Sequence, residues 1–455
     1  MGNTRRFFNL KKLLIINYSL LILFLTSCGI QKKISKSAKQ VINDSSLLTA
    51  HVGISIYEPA TGKYWYNYQG DKYFVPASNT KLPTCYAAMK YLGDSLKCFL
   101  AMENDTALFV FPSGDPTFLH PDYKAQPAFD FLKRSTKTIY TSDIRWKSEA
   151  LGSGWSWNDY NENYMAERSP MPLYGNLLKW IQEKETTNKS EPFIIYSVPE
   201  VNWPVNFSVV NAKNFEVKRK IDENEFELVQ GTEKYKELYV PFVTHGIRSS
   251  IELLSDTLGK KISLMDEQML SKVFAKNELA VRYIKTQPLD SLLKPMMHRS
   301  DNFFAEQSLL MVSNERLGVM NDEKIIDTLL KTDFKDLPQK PRWVDGSGLS
   351  RYNLFTPQDF VAILNKMKNE FGMERIKIIL PTGGTGTISN YYKADSNFIF
   401  GKTGTLSGVV AFSGFLYTKK GKLLVFSTLV NNHQASSTAV RRAVEKFIQG
   451  IRDKY

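Results

Sequence analysis

Histidine and cysteine are scarce: five and three in 455 residues. Three cysteines make no disulfide scaffold. None of His51, His120, His245, His298 and His433 stands at metal-ligand spacing, and Cys85 and Cys98 have no histidine nearby. No metal and no cofactor are therefore expected, and Cys85 and Cys98 read as small buried hydrophobes, not a redox pair. A Gly-x-Ser-x-Gly elbow and a glycine-rich phosphate loop are both missing, which excludes two common chemistries at once. Beyond the N-terminus no run of 18 apolar residues occurs, so the rest of the chain reads as soluble. There is no internal repeat and no low-complexity tract.

The composition, 43% hydrophobic, 23% charged and 13% aromatic, is that of a globular protein and excludes disorder. At about 150 residues per domain the length suggests roughly three domains. Lysine and arginine number 59 against 46 acids, a net +13. The first 27 residues hold four of those bases (Arg5, Arg6, Lys11, Lys12) and no acid, so the remainder carries 55 against 46, or +9. Such a surplus suits an anionic polymer or lipid headgroups, or simply a lysine-rich solvated surface. After the bases comes the apolar run Leu13 to Ser27, too short for a membrane span and right for a signal-peptide core. Its end, Leu25-Thr26-Ser27-Cys28, resembles the bacterial lipobox, in which the cysteine is lipidated and becomes the new N-terminus. Residues 1–27 are thus expected to leave as a signal peptide, with Cys28 as the membrane anchor.

Past the anchor, Ile34, Ala38, Val41 and Ile42 have helical spacing. His51–Tyr57 and Lys63–Tyr68 read as a hairpin, and Ser78–Leu92 as a helix with Leu82, Cys85, Ala88, Met89 and Leu92 on one face. Pro83, two residues after Lys81, would kink its first turn. At the far end Asn397–Gly404, Val409–Tyr417 and Lys422–Val430 read as strands, followed by a helix over Ser437–Gly450. Two N-terminal and three C-terminal strands could form one antiparallel sheet covered by the terminal helices. The middle reads as short strands (Ala107–Phe111, Phe193–Ser197, Phe207–Asn211, Phe226–Leu228), a helix over Val243–Leu258, and an ordered loop at Gly152–Trp157. The fold class expected is α/β of the α+β type, with the first and last thirds of the chain, 28–95 and 286–455, in one domain and 96–285 as a strand-rich insertion.

A serine nucleophile needs a base, and here three short motifs supply one without histidine. Ser78-Asn79-Thr80-Lys81 puts hydroxyl and amine at i and i+3 of one helical turn. Ser300-Asp301-Asn302 follows 222 residues on, and Lys402-Thr403-Gly404 another 102. A lone Ser-x-x-Lys is weak, but the three in this order are the signature of penicillin-binding proteins and serine β-lactamases. Further words narrow it: Ser113-Gly114-Asp115-Pro116-Thr117, Gly154-Trp155-Ser156-Trp157-Asn158-Asp159, Asp345-Gly346-Ser347-Gly348-Leu349-Ser350-Arg351, Leu380-Pro381 and Gly401–Gly408. With the motifs, they make residues 51–432 resemble the D-alanyl-D-alanine carboxypeptidase/endopeptidase family, the low-molecular-mass class C penicillin-binding proteins.

That resemblance implies a transpeptidase-like domain, antiparallel five-stranded sheet flanked by helices, with extra domains inserted after the first motif. It implies Ser78 as the nucleophile on the penultimate D-Ala carbonyl and Lys81 as a neutral proton acceptor. Burial and a second cation, Lys402, would both lower the Lys81 pKa. Ser300 would relay the proton to the leaving amine, and Asn302 would hold Lys81 and a substrate amide. Lys402, with Thr403 or Thr405, would grip the terminal carboxylate, Gly404 lining the same strand. The N–H groups of Ser78 and Thr405 would form the oxyanion hole. Asp159, Tyr164 and Arg351 match positions approaching the diamino-acid side chain of a stem peptide, though Asp159 could equally cap a loop and Arg351 pair structurally. Asp345–Gly348 and Asp115 read as tight turns that support the site. The implied partners are peptidoglycan stem peptides, β-lactams as covalent inhibitors and a membrane through the lipid; no nucleic acid is expected. Two alternatives stay open: an inactive wall-binding or β-lactam-sensing lipoprotein, and a serine β-lactamase, although no Glu-x-x-Leu-Asn string occurs. The lipobox reading is checked by fatty-acid labelling: Cys28→Ser should abolish it and leave unprocessed precursor, and unchanged labelling would show Cys28 to be an ordinary residue.

Overall fold

The computed structural model describes residues 42–184 apart from Ser46, 193–210, 212–275 and 279–455, together with Ile34, Lys36 and Ala38. Cys28, Val41 and the whole signal segment lie outside these residues. The chain divides into two compact units, one of Met1–Pro76, Leu337–Pro341 and Leu354–Tyr455, the other of Ala77–Asp336 and Arg342–Asn353.

The first unit is built on the sheet that joins the two ends of the chain. Its strand order is Ile399–Leu406, Val409–Tyr417, Leu423–Asn431, His51–Glu58, Lys63–Tyr68, and every pairing is antiparallel. His51 lies opposite Asn431 and Tyr57 opposite Val425, so the first strand is clamped by the last. Alternation decides the faces. Val52, Ile54 and Ile56 point into one cluster with Phe412, Phe426, Val440, Val444, Phe447 and Ile448, the last four from the terminal helix Ser437–Lys454. Ile34 and Ala38 are helical and fully buried in the same cluster. The helix Pro357–Ile379 packs on the central strands. A capping box starts it: the Thr356 hydroxyl accepts from Asp359 N (3.1 Å), the Asp359 carboxylate accepts from Thr356 N (2.9 Å), and Pro357 occupies the first position.

The second unit holds a helical group, Lys81–Tyr91, Leu289–His298, Asn302–Leu317 and Asp322–Lys331, and three further sheets. One has five strands, Ile262–Leu264, Thr138–Thr141, Ala107–Pro112, Ser95–Glu103 and Ala280–Pro288. The others have three each: Val205–Phe207, Phe226–Val229, Glu216–Arg219, and Tyr235–Pro241, Leu177–Lys184, Phe193–Val198. Cys85 and Cys98 are both buried and form no disulfide, as small hydrophobes should.

Three local expectations change. The helix expected from Ser78 begins only at Lys81, after a separate 3-10 turn over Ala77–Thr80. Pro83 is therefore third in the helix, where a backbone N–H has no intrahelical acceptor, and its ring breaks no bond. The helix expected from Val243 starts at Arg248. His245 and Gly246 take left-handed φ of 45° and 71°, and Thr244 spends its N–H and hydroxyl on the Glu167 carboxylate. The strand expected over Phe207–Asn211 is instead Val205–Phe207. It pairs in parallel with Phe226–Leu228, while Val209 and Val210 stand exposed at 98% and 66% with no sheet face to cover them; Asn211 lies outside the described residues.

The lysine-bearing strand leans on one glycine. Gly414 pairs with Gly401, and a Cβ at Gly414 would stand 2.0 Å from the Phe400 carbonyl oxygen. Gly414→Ala must push strand Ile399–Leu406 away. A loss of about 1–3 kcal/mol is expected, measured by denaturant unfolding of the purified chain.

Candidate active site

The 3-10 turn puts Ser78 at the lip and Lys81 at the base of one structural element. Ser78 is partly exposed and Lys81 is fully buried. The Lys81 ammonium nitrogen meets three oxygens: Ser78 Oγ at 3.1 Å, Asn302 Oδ1 at 2.7 Å and the Ser347 carbonyl at 2.8 Å. Charged, the group donates to all three. Neutral, it has two hydrogens and one lone pair. Asn302 Oδ1 and the Ser347 carbonyl can only accept, so they take the hydrogens and the lone pair faces Ser78 Oγ. In its neutral form this amine would thus face the Ser78 hydroxyl with its lone pair.

Each partner has its own support. Asp301 caps the helix Asn302–Leu317 by accepting from Phe304 N at 2.9 Å. Ser300, just before it, takes φ 62° as the chain turns out of the helix Leu289–His298. The Asn302 amide donates to the Tyr164 carbonyl at 3.0 Å, which fixes which way its oxygen faces. One amide hydrogen of Asn302 is thereby spent on the protein, leaving one for a substrate. Tyr164 is largely exposed, and burial together with the charge and hydrogen bond of Asp159 raises its phenol pKa. Asp159 ends the short 3-10 turn Trp157–Asp159, and its N–H donates to the Ser156 carbonyl. Arg351 is exposed at the end of the turn that Asp345 opens.

That turn does more than the support role read from its glycines, because the Ser347 carbonyl touches the base itself. Asp345, fully buried, accepts from Gly348 N (2.8 Å), Ser350 N (2.7 Å), Asn353 Nδ2 (2.7 Å) and Trp155 Nε1 (3.0 Å). The Gly348 N–H belongs to the same peptide group as the Ser347 carbonyl, so the carboxylate polarises the oxygen that holds Lys81. Gly348 has φ 83°, and a Cβ there would stand 1.9 Å from the Ala77 carbonyl oxygen. Only glycine lets this turn lie flat against the serine turn. Asp115 is a turn residue as expected: it accepts from Thr117 N and Oγ1, and it also bonds Thr286.

In the first unit, Lys402 is fully buried and donates to the Thr403 carbonyl at 2.7 Å. Gly404 is buried beside it, opposite Ala411. The Thr403 hydroxyl is turned to Thr387 Oγ1 (2.7 Å), whereas Thr405 is exposed and receives a hydrogen bond from Arg441. Of the two threonines, Thr405 is the one open to a ligand, and Arg441 is a cation that no motif announces.

A second buried group joins Asp345 to three residues outside the three catalytic motifs. Arg168, Glu306, Asp322 and Asp345 are all under 8% exposed. Arg168 Nη1 reaches Asp322 at 2.6 Å and Glu306 at 3.3 Å, and the other Glu306 oxygen accepts from Ser347 N at 2.7 Å. Glu306 stands four residues past the Ser300–Asn302 motif, and nothing local marks Arg168, 138 residues earlier. Burial pulls the Lys81 amine down to about 8, against the opposing charges of Asp345, Glu306 and Asp301. Burial, then Asp345, pushes Glu306 up to about 7, against Arg168 and the Ser347 N–H.

A partly exposed serine, a buried lysine amine and an asparagine brace on a mixed fold with a five-stranded antiparallel sheet define a penicillin-binding-protein type of centre. Residues 34–454 match the model of the D-Ala-D-Ala carboxypeptidase 3 (S13) family, and the chain belongs to that family. It is 23% identical to the D-alanyl-D-alanine carboxypeptidase DacB of Haemophilus influenzae, over 86% of this chain and 87% of that one. It is 24% identical to the D-alanyl-D-alanine carboxypeptidase of an Actinomadura species, over 89% and 82%. Its fold is that of penicillin-binding protein 4 from Haemophilus influenzae, with TM-score 0.70, 20% identity and coverage of 92% and 98%; a structure of that protein with a β-lactam matches at 0.65 and 19% identity.

Below a pH of about 8 the Lys81 amine carries its third proton and has no lone pair for Ser78. The rate at which a small acylating reagent modifies Ser78 should therefore climb as pH rises through about 8 and level off above it. Lys81→Ala should cost about 10²–10⁴ in that rate. A flat profile between pH of about 6 and about 9 would exclude Lys81 as the base.

Proposed function

We propose that this protein is a serine D,D-peptidase of the cell envelope that cleaves D-Ala-D-Ala termini, D-Ala–diamino-acid cross-links, or both, in peptidoglycan, and that β-lactams acylate it. The observation that carries the proposal is the buried Lys81 amine, 3.1 Å from Ser78 Oγ with its other two contacts both acceptors. Membership of the S13 family gives the substrate class.

In the proposed reaction Ser78 Oγ bonds the carbonyl carbon of the penultimate D-Ala as its proton passes to Lys81 Nζ. The C–N bond then breaks, and Ser300 relays that proton to the leaving amine. Water later hydrolyses the ester by the reverse traffic. Asn302 keeps Lys81 in register and offers its remaining N–H to the substrate. Lys402, with Gly404 and the open hydroxyl of Thr405, is the proposed carboxylate grip, and Lys402 also the second cation that discourages protonation of Lys81. Thr403, whose hydroxyl is committed to Thr387, is left the lesser part. Asp159, Tyr164 and Arg351 are proposed for the diamino-acid side chain; a half-buried carboxylate suits an amine there.

The proposed organisation keeps residues 28–95 and 286–455 as the peptidase domain and 96–285 as an insertion. The sheets between Ser95 and Pro288 hold none of Ser78, Lys81, Ser300, Asn302 or Lys402, which supports it. Anchoring through lipidated Cys28, the last residue of Leu25-Thr26-Ser27-Cys28, completes the proposal.

The test is one incubation series. Penicillin should leave a stable adduct on the peptide containing Ser78, absent in Ser78→Ala, and a pentapeptide stem should lose D-Ala. An adduct without D-Ala release would mark a sensor; fast penicillin turnover would mark a β-lactamase.

A further inference from the structure

Glu306 lies outside the three motifs, yet its side chain bonds both the turn behind the Lys81 amine and a buried arginine. Its carboxylate accepts from Ser347 N on one oxygen (2.7 Å) and from Arg168 on the other (3.3 Å). The next atoms along that turn are the Ser347 carbonyl and its contact with Lys81. Gly346 fits against the same helix, with a Cβ there 2.8 Å from the Ala305 carbonyl oxygen, so the turn cannot slide without disturbing Glu306. We propose that Glu306 is a positioning residue for acylation: its carboxylate fixes the carbonyl that orients the Lys81 amine, and its charge governs how readily that amine gives up its proton. This inference rests on the serine–lysine reading above.

The charges around Glu306 make the second half concrete. Facing it are Arg168 from the loop before Ser169, Asp322 at the head of the helix Asp322–Lys331, Asp345 from the turn, and Lys81 from its own helix. Asp301, which leads into the helix bearing Glu306, acts on Lys81 as well. Arg168 is shared between Asp322 and Glu306, with the shorter contact to Asp322. Glu306 is thus incompletely neutralised, and burial with the Asp345 charge pushes its carboxyl up, while burial pulls the Lys81 amine down. A proton on either makes a proton on the other harder to hold.

Removing the charge should lower the Lys81 pKa, because an ammonium loses a nearby anion. The acid limb of Ser78 acylation should then move to lower pH. In Glu306→Gln that shift should be about half a pH unit or more, with a reduced plateau because the amide cannot serve Arg168 as the carboxylate does. Glu306→Asp keeps the charge but is a methylene too short to span both partners. Its plateau should fall while the limb stays at the wild-type pH. If both variants lose rate equally at every pH, Glu306 is only structural and the proposal is overturned. A second measurement needs no kinetics. With carbon-13-labelled lysine, the Lys81 side-chain signal should titrate at lower pH in Glu306→Gln than in the wild-type chain, and an unmoved titration overturns the proposal. Wild-type protein that β-lactam fails to acylate at any pH would instead sink the serine–lysine reading itself.

Discussion

A lysine amine without water is the constraint on which the catalytic half of this structure turns. Moving a lone ammonium out of water costs several kcal/mol, so the fold must either pair it or let it lose its proton. Here it does some of both. Asp345, Glu306 and Asp301 stabilise the charge from a distance while burial undermines it, and the balance leaves the amine at about 8. Its three contacts are neutral oxygens, which hold either protonation state. A carboxylate in direct contact would have locked the charge on and ended its use as a base.

Holding that amine still recruits residues from far along the chain. Asn302 comes 221 residues after Lys81 and Ser347 comes 266 after it. Asp301 caps the helix that starts with Asn302, Tyr164 fixes the rotation of its amide, and Asp345 and Glu306 pin the turn that ends at the Ser347 carbonyl. Two glycines do what no side chain could: Gly348 lets that turn touch the serine turn, and Gly414 lets the lysine strand touch its neighbour. The same economy runs through the first unit, where the first strand has the last as its neighbour and both chain ends bury their apolar residues in one cluster.

Much of this was legible in residue order. The strand-like runs at Lys63–Tyr68 and Val409–Tyr417 are strands to the residue, and the stripe Leu82, Cys85, Ala88, Met89 is buried as its spacing required. The motifs Ser78–Lys81 and Ser300–Asn302 do meet, through Lys81 and Asn302. Errors fell where a side chain reached outside its own segment. Thr244 bonds Glu167 instead of starting a helix, and the valines after Phe207 have no partner sheet, so their β-propensity goes unused.

Composition, periodicity and three short words determined the class of chemistry, the antiparallel sheet closed by the chain ends, and the serine and lysine that face each other across one turn. Those are local or near-local properties, written in side chains a few residues apart. Tertiary structure alone decided that the Ser347 carbonyl, not only Asn302, holds the base. It also decided that Thr405 is open while Thr403 is committed, and that Arg168, Glu306, Asp322 and Asp345 are buried together. The reason is physical: a buried charge is priced by everything around it, and its neighbours are chosen by the fold and not by their place in the chain.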